Sequence, residues 1–149
     1  MQKSWFNVGL VDFMIQENLE LQKLIIVSLR NIDEIKNNDI NVFASIPYRN
    51  RMPYIKVSGL KLKENQNACN VRTFAIELFV ATNWKNNQQI LKIMESIYNN
   101  LTKQAEDYAN ENNLTNINVY NIYNLHYEIE ENFQNNTWSG RFYIDVDIV

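Results

Sequence analysis

Between Arg72 and Leu101 the apolar pattern changes period, and no other feature of the sequence limits the fold so tightly. Phe74, Ile76, Leu78 and Val80 fall at every second position, as one face of a strand requires. Ile90, Ile93, Met94, Ile97 and Leu101 then fall at i, i+3, i+4, i+7 and i+11, one face of a helix. The switch lies between Thr82 and Asn87, where Asn83, Asn86 or Asn87 can each cap the helix with a side-chain oxygen. A strand and a helix joined so closely give a core with a sheet on one side and a helix on the other.

The rest of the chain adds to that pair. Residues 1–10 read as an irregular arm whose Trp5, Phe6, Val8 and Leu10 dock on the body or on a neighbour. A helix over Val11–Ile35 follows, with Leu21, Leu24, Ile25, Ser28, Leu29, Ile32 and Ile35 as its buried stripe. Glu17, Glu20 and Arg30 suit its dipole, whereas Asp33 and Glu34 near its end oppose it. Asn41–Ile46 reads as a short strand stopped by Pro47. Tyr54–Leu62 reads as a second, with Gly59 marking a bulge after which Leu60 and Leu62 take the apolar phase. Val71–Thr82 is the third strand and Asn86–Glu111 the second long helix. Asn118–Glu130 is a strand with Tyr123, Leu125, Tyr127 and Ile129 on one face and a bulge near Asn121. Trp138, Gly140, Phe142, Ile144, Val146 and Ile148 alternate with polar residues as the last strand. The order α-β-β-β-α-β-β, joined largely by hairpins, predicts an α+β fold. It has a largely antiparallel sheet of four or five strands packed by two long helices. A chain of 149 residues suits one domain over residues 1–149, large enough to bury a core without staples.

Nothing in the sequence assembles a catalytic site, so the reading is of a chain that is not an enzyme and needs no cofactor. His126 is the sole histidine and Cys69 the sole cysteine, which leaves no pair for a metal. Three glycines cannot build a phosphate-binding loop or a dinucleotide fingerprint. A formal net charge of -3 argues against a duplex-DNA reader. The N-terminus lacks an apolar segment of signal-peptide length, and Leu24–Val27 is far too short to span a membrane. The expectation is a protein made in the cytosol, without a membrane partner.

Two surface features carry physical content. Carboxylates recur at outward strand positions: Glu77, Glu128, Glu130, Asp145 and Asp147. They form a solvated face that discourages edge pairing, or a surface that repels nucleic acid or meets a basic partner. Arg49 and Arg51 stand with Tyr48 and Tyr54 around two prolines, an exposed loop whose residue types favour partner contact.

The order of elements resembles that of the tail-completion, or tail-terminator, proteins of long-tailed bacteriophages, prophages and gene-transfer particles. The resemblance rests on Leu21-Gln22-Lys23-Leu24 in the first helix, Ser45-Ile46-Pro47, and Pro53-Tyr54-Ile55-Lys56-Val57. It continues through Phe74–Thr82, the helix stripe Ile90–Leu101 and Gly140-Arg141-Phe142, covering about Leu19 to the C-terminus. It implies a structural virion protein that closes into a ring, usually six-fold. Such a ring caps the tail tube, ends its growth and presents the head-tail joining surface. The implied partners are copies of itself, the tail-tube protein, the head-connector protein, and DNA passing through the lumen without specific binding. The implied location is the host cytoplasm during assembly, then the head-proximal end of the tail. Candidate partner or oligomer contacts are Trp5, Phe6, Tyr48, Arg49, Arg51, Lys63 and Glu64. Candidate channel-facing acids are Glu77, Glu128, Asp145 and Asp147, and reversing Asp145 and Asp147 to Lys is expected to leave the ring intact while slowing DNA passage. The longer N-terminal arm and the polar end of the second helix depart from the family pattern. The competing expectation is a small cytosolic adaptor or assembly chaperone on the same platform.

Overall fold

The computed structural model describes residues 18–45, 51–63, 71–83, 87–112 and 119–148. Residues 18–30 form helix α1, and Leu21, Leu24, Ile25, Ser28 and Leu29 are its buried stripe. Ser28 is tolerated there because its hydroxyl donates to the Leu24 carbonyl oxygen at 2.6 Å. The helix does not run on to Ile35 as the periodicity predicts. The chain turns at Asn31, Ile32 is extended at φ −70°, ψ 128°, and a second helix, α2, spans Asp33–Asn37. Ile32 and Ile35 stay buried across the break, so the apolar stripe survives and hides it. The break also accounts for the two acids that opposed the dipole: Asp33 and Glu34 are the first turn of α2, where negative charge is favoured.

Helix α2 ends through a left-handed residue, Asp39, at φ 51°. The Ile40 amide donates to the Ile35 carbonyl oxygen at 3.1 Å, and the two isoleucine side chains are both buried. That bond and that apolar contact are the two parts of a Schellman stop.

The strands are β1 (Asn41–Phe43), β2 (Tyr54–Leu62), β3 (Arg72–Asn83), β4 (Val119–Asn132) and β5 (Thr137–Ile148). Helix α3 (Asn87–Asn112) lies between β3 and β4 in sequence. Among the described residues the sheet has five strands in the order β1-β2-β3-β5-β4. The class is α+β, and two details of the expected order are corrected: a short extra helix precedes the strands, and the sheet is mixed. β1 runs parallel to β2, and the other three pairings are antiparallel. The Arg30 guanidinium donates to the Val42 carbonyl oxygen at 2.9 Å and ties the end of α1 to this short edge.

Two strands are bulged. Gly59 and Leu60 of β2 together oppose Ile76, as the sequence predicts. Asn124 and Leu125 of β4 together oppose Ile144, which the sequence reading missed. Asn124 is left-handed at φ 54°, a conformation that asparagine accepts more readily than most residues. A further register shift near Tyr120 fits the bulge expected around Asn121. The bulge at Asn124 moves Tyr123 to the face of His126, opposite Asp145, instead of the face of Tyr127.

One face of the sheet carries the core. Ile55, Val57, Ile76, Leu78, Val80, Phe142, Ile144 and Val146 join the stripes of α1 and α3 in a single buried cluster. Side chains of helix α3 lie directly over Gly140 of β5. A Cβ there would meet the Met94 sulfur at 2.8 Å and its methyl at 2.9 Å. No side chain larger than hydrogen fits without displacing Met94, which is fully buried. Gly140→Ala forces the flexible thioether end of Met94 to shift and is therefore expected to lower stability by about 1 kcal/mol or less. Combined with Met94→Ala the loss should be less than additive, because the shortened residue 94 frees the space. Asp39→Gly is expected to raise stability by about 0.5 kcal/mol, left-handed strain removed less the added unfolded-state entropy. Urea midpoints of the variants check each value.

Candidate functional site

No described helix packs on the opposite face of the sheet, and that face gathers most of the polar residues singled out in the sequence. The alternation of β3 and β5 sends Thr73, Ala75, Glu77 and Phe79 outward beside Asp147, Asp145, Tyr143 and Arg141. β4 adds Asn121, Tyr123, His126 and Glu128 on the far side of β5. β2 adds Lys56, Ser58 and Lys61 on the far side of β3.

The carboxylates on this face are held by donors of the same chain. Asp145 is only 6% exposed. Its Oδ2 accepts from Lys63 Nζ at 2.7 Å and from Asn124 Nδ2 at 2.8 Å. Asp147 Oδ1 accepts from the Thr73 hydroxyl at 2.6 Å and the Tyr123 hydroxyl at 3.0 Å. Glu77 lies 3.5 Å from an Arg141 nitrogen. Glu128 accepts from the Tyr143 hydroxyl at 3.0 Å, and the Tyr143 ring stacks with His126 at 4.9 Å. His126 Nδ1 lies 3.0 Å from the Asn124 carbonyl oxygen, which can only accept, so that nitrogen carries the proton.

The two bulges face each other across β3 and β5, because Ile76 and Ile144 are themselves paired. Bulges bend and twist a strand, and a matched pair bends the sheet between them. A hollow of about 580 Å³ lies at this level, lined by Lys61, Lys63, Ala75, Glu77, His126 and Tyr143 among others. The small side chain of Ala75 leaves its floor open. Its polar groups mostly bond to one another, which suits a stiff surface better than proton transfer. Among the described residues no group of three histidine, cysteine or acidic side chains is placed to hold a metal ion.

The titrations follow from these contacts. The hydrogen bond to Asp145, helped by that carboxylate's charge and opposed by burial, raises the Lys63 pKa. The bond to Thr73 lowers that of Tyr123, but burial and the bond to Asp147 outweigh it and the net shift is upward. The bond to Glu128, then burial, raises Tyr143.

Of the contact candidates read from the sequence, Trp5, Phe6, Tyr48, Arg49 and Glu64 lie outside the described residues. Arg51 is exposed just before β2, and Lys63 is half exposed but anchored to Asp145. Glu77, Glu128, Asp145 and Asp147 share the outward face, yet they are not alike. Glu128 is exposed, whereas Asp145 is buried. The expectation that Asp145 tolerates reversal to Lys is corrected: a lysine there would be buried against Lys63. The sequence reading also missed Asn124, Thr73, Tyr123 and Tyr143. The break in alternation between Ile122 and Tyr127, with an asparagine inside it, was the signal that could have found Asn124.

No protein-family model matches the chain, and no curated protein matches it. Among solved structures it is similar to a chain in the virion of a native gene transfer agent (GTA) particle. The TM-score is 0.61, with 9% sequence identity, over 86% of this chain and 93% of that chain. At that identity the likeness is one of fold.

Asp145→Lys is expected to cost about 3–5 kcal/mol, the range for an uncompensated buried charge. Glu130→Lys, on an exposed position, should stay within about 0.5 kcal/mol. The raised pKa values of Lys63, Tyr123 and Tyr143 mean that the folded chain holds these protons more tightly than the unfolded one. Their contribution is complete below the ordinary values of 10.0 and 10.5 and is lost as pH rises through the raised ones. Melting temperature should therefore fall above about pH 10. Lys63→Met should lower it near neutral pH and flatten the alkaline fall. Thermal melts across pH check both statements.

Proposed function

We propose that this chain is a structural virion protein that closes into a ring, caps the tail tube and forms the head-tail joining surface. The observation that carries the reading is the fold shared with nearly the whole of a chain from a gene transfer agent virion. It coincides with the apolar pattern, from the first helix to Gly140-Arg141-Phe142, that resembles the tail-terminator family.

The architecture supports the same reading. A ring subunit has to be rigid, with surfaces left free for neighbours on several sides. Here helices cover one face of the sheet, and the other face is polar and braced by its own hydrogen bonds. In the proposed ring that face turns to the lumen, bringing Glu77, Glu128, Asp145 and Asp147 toward passing DNA. The same face carries Lys56, Lys61, Lys63 and Arg141, so acids and bases are interspersed and passing DNA meets no continuous basic track to bind. The bonds from Lys63, Asn124, Thr73, Tyr123 and Tyr143 hold the carboxylates in position. Copies of the chain, the tail-tube protein and the head connector are the partners in this reading, with a six-fold ring as the assembled form.

Mass in solution by light scattering, with negative-stain microscopy of the chain alone and mixed with tail tubes, tests the proposal. Rings, or added density at tube tips, are the expected result. A chain that stays monomeric at high concentration and never caps a tube overturns it. One-to-one binding to a single partner would then favour the adaptor or assembly chaperone.

A further inference from the structure

The two sides of the sheet differ in charge. β2 and the residue after it carry Lys56, Lys61 and Lys63, and no acid. β4, at the other side, carries Glu128, Glu130 and Glu131, and no lysine or arginine. Lys63 is taken up by Asp145. Among the described residues no partner is seen for Lys56, Lys61 or Glu130, and Glu128 is exposed with only the Tyr143 hydroxyl on it. Beside Glu128 and Glu130 lies a shallow hollow of about 230 Å³, which Ser139 and Arg141 also line.

For one pair the heights match as well as the signs. Lys56 pairs with Phe79, Phe79 with Arg141, and Arg141 with Glu128, so Lys56 and Glu128 stand on one rung of the sheet. Glu130 stands two rungs away in one direction, level with Tyr54 through Ala81 and Ser139, and Lys61 stands in the other direction, level with Tyr123 through Ala75 and Asp145. A copy moved sideways, by rotation about an axis along the strands, keeps every rung at its height. It brings the acidic side of one subunit to the basic side of the next. The covering strand does not oppose this: β1 is three uncharged residues and pairs with only Tyr54, Ile55 and Lys56. With strands about 4.8 Å apart, a neighbour beside β1 leaves Lys56 two spacings from Glu128, within joint reach of the two long side chains.

We infer that the β1–β2 side of one subunit docks head-to-tail against the β4 side of a second copy, with Lys56 facing Glu128 on one rung and with Lys61 and Glu130, on other rungs, adding to the charge of each side. This rests on the ring reading and says which surfaces close the ring. A sheet with unlike sides is what a heterologous interface requires, because each subunit offers one of each. The charges set register and direction, and they exclude contact between two like sides.

The experiment is a charge swap. One variant carries Lys56→Glu and Lys61→Glu, another Glu128→Lys and Glu130→Lys, and a third carries all four changes. Association is read by light scattering at low and high salt, and by density at tube tips where tubes are needed for assembly. Melting curves confirm that each variant is folded. Each double variant should associate at least tenfold more weakly than the parent. A one-to-one mixture of the two should associate again, as should the four-fold variant with itself, and added salt should weaken the parent. Double variants that assemble as the parent does overturn the inference and leave the ring reading standing, as does a mixture that fails to recover. A parent chain that neither forms rings nor caps tubes overturns the ring reading instead.

Discussion

The close approach of helix α3 to strand β5 at Gly140 is the constraint on which the other contacts depend. Met94 occupies the space where a side chain at 140 would stand. The helix thereby settles low over the centre of the sheet, and Ile90, Ile93, Ile97 and Leu101 reach the inward faces of the strands. That arrangement covers one face of the sheet. The other has to satisfy its own polar groups, and it does so with side chains that bond across strands. Asp145 shows the need most clearly, since a carboxylate 6% exposed would be costly without Lys63 and Asn124.

Much of the fold was legible because burial imposes a period. The change from alternation to helical spacing after Thr82 placed β3 and α3, and the alternation from Trp138 to Ile148 placed β5. Gly59 announced its bulge. The break after α1 was hidden because Ile32 and Ile35 remain buried on both sides of it, and periodicity records burial, not continuity. The mismatched acids Asp33 and Glu34 carried the information and were read as an anomaly. The parallel β1–β2 pairing was not legible, since three residues of strand give no directional signal.

The outward face was legible as a set of carboxylates and illegible as a network. Alternation says which way a side chain points and nothing about what it meets. Lys63 and Asp145 are 82 positions apart in sequence, and Thr73 and Asp147 are 74 apart. Once these pairs are known, five acids on one face cease to be equivalent. Asp145 and Asp147 brace the sheet, Glu77 is balanced by Arg141, and Glu128 and Glu130 remain outward toward whatever adjoins β4. A functional reading based on charge therefore rests on fewer residues than the sequence offers, and on more firmly placed ones.

The bulge at Asn124 gives strand β4 something like a reading frame. Up to Tyr123 the odd-numbered positions face outward; from His126 onward the even-numbered ones do. Loss of one residue at the bulge would leave the other opposite Ile144, and the residues on both sides would keep their partners and their faces. Loss elsewhere in the strand, with the bulge kept, would instead make Ile122 and Tyr123 or Tyr127 and Glu128 exchange faces, exposing a core residue or drawing a charge inward. Length changes in this strand are compatible with the fold in pairs, or where a bulge gains or gives up the odd residue. The extra residue that spoils the simple alternation is thus what joins an outward set of odd-numbered positions before it to an outward set of even-numbered ones after it.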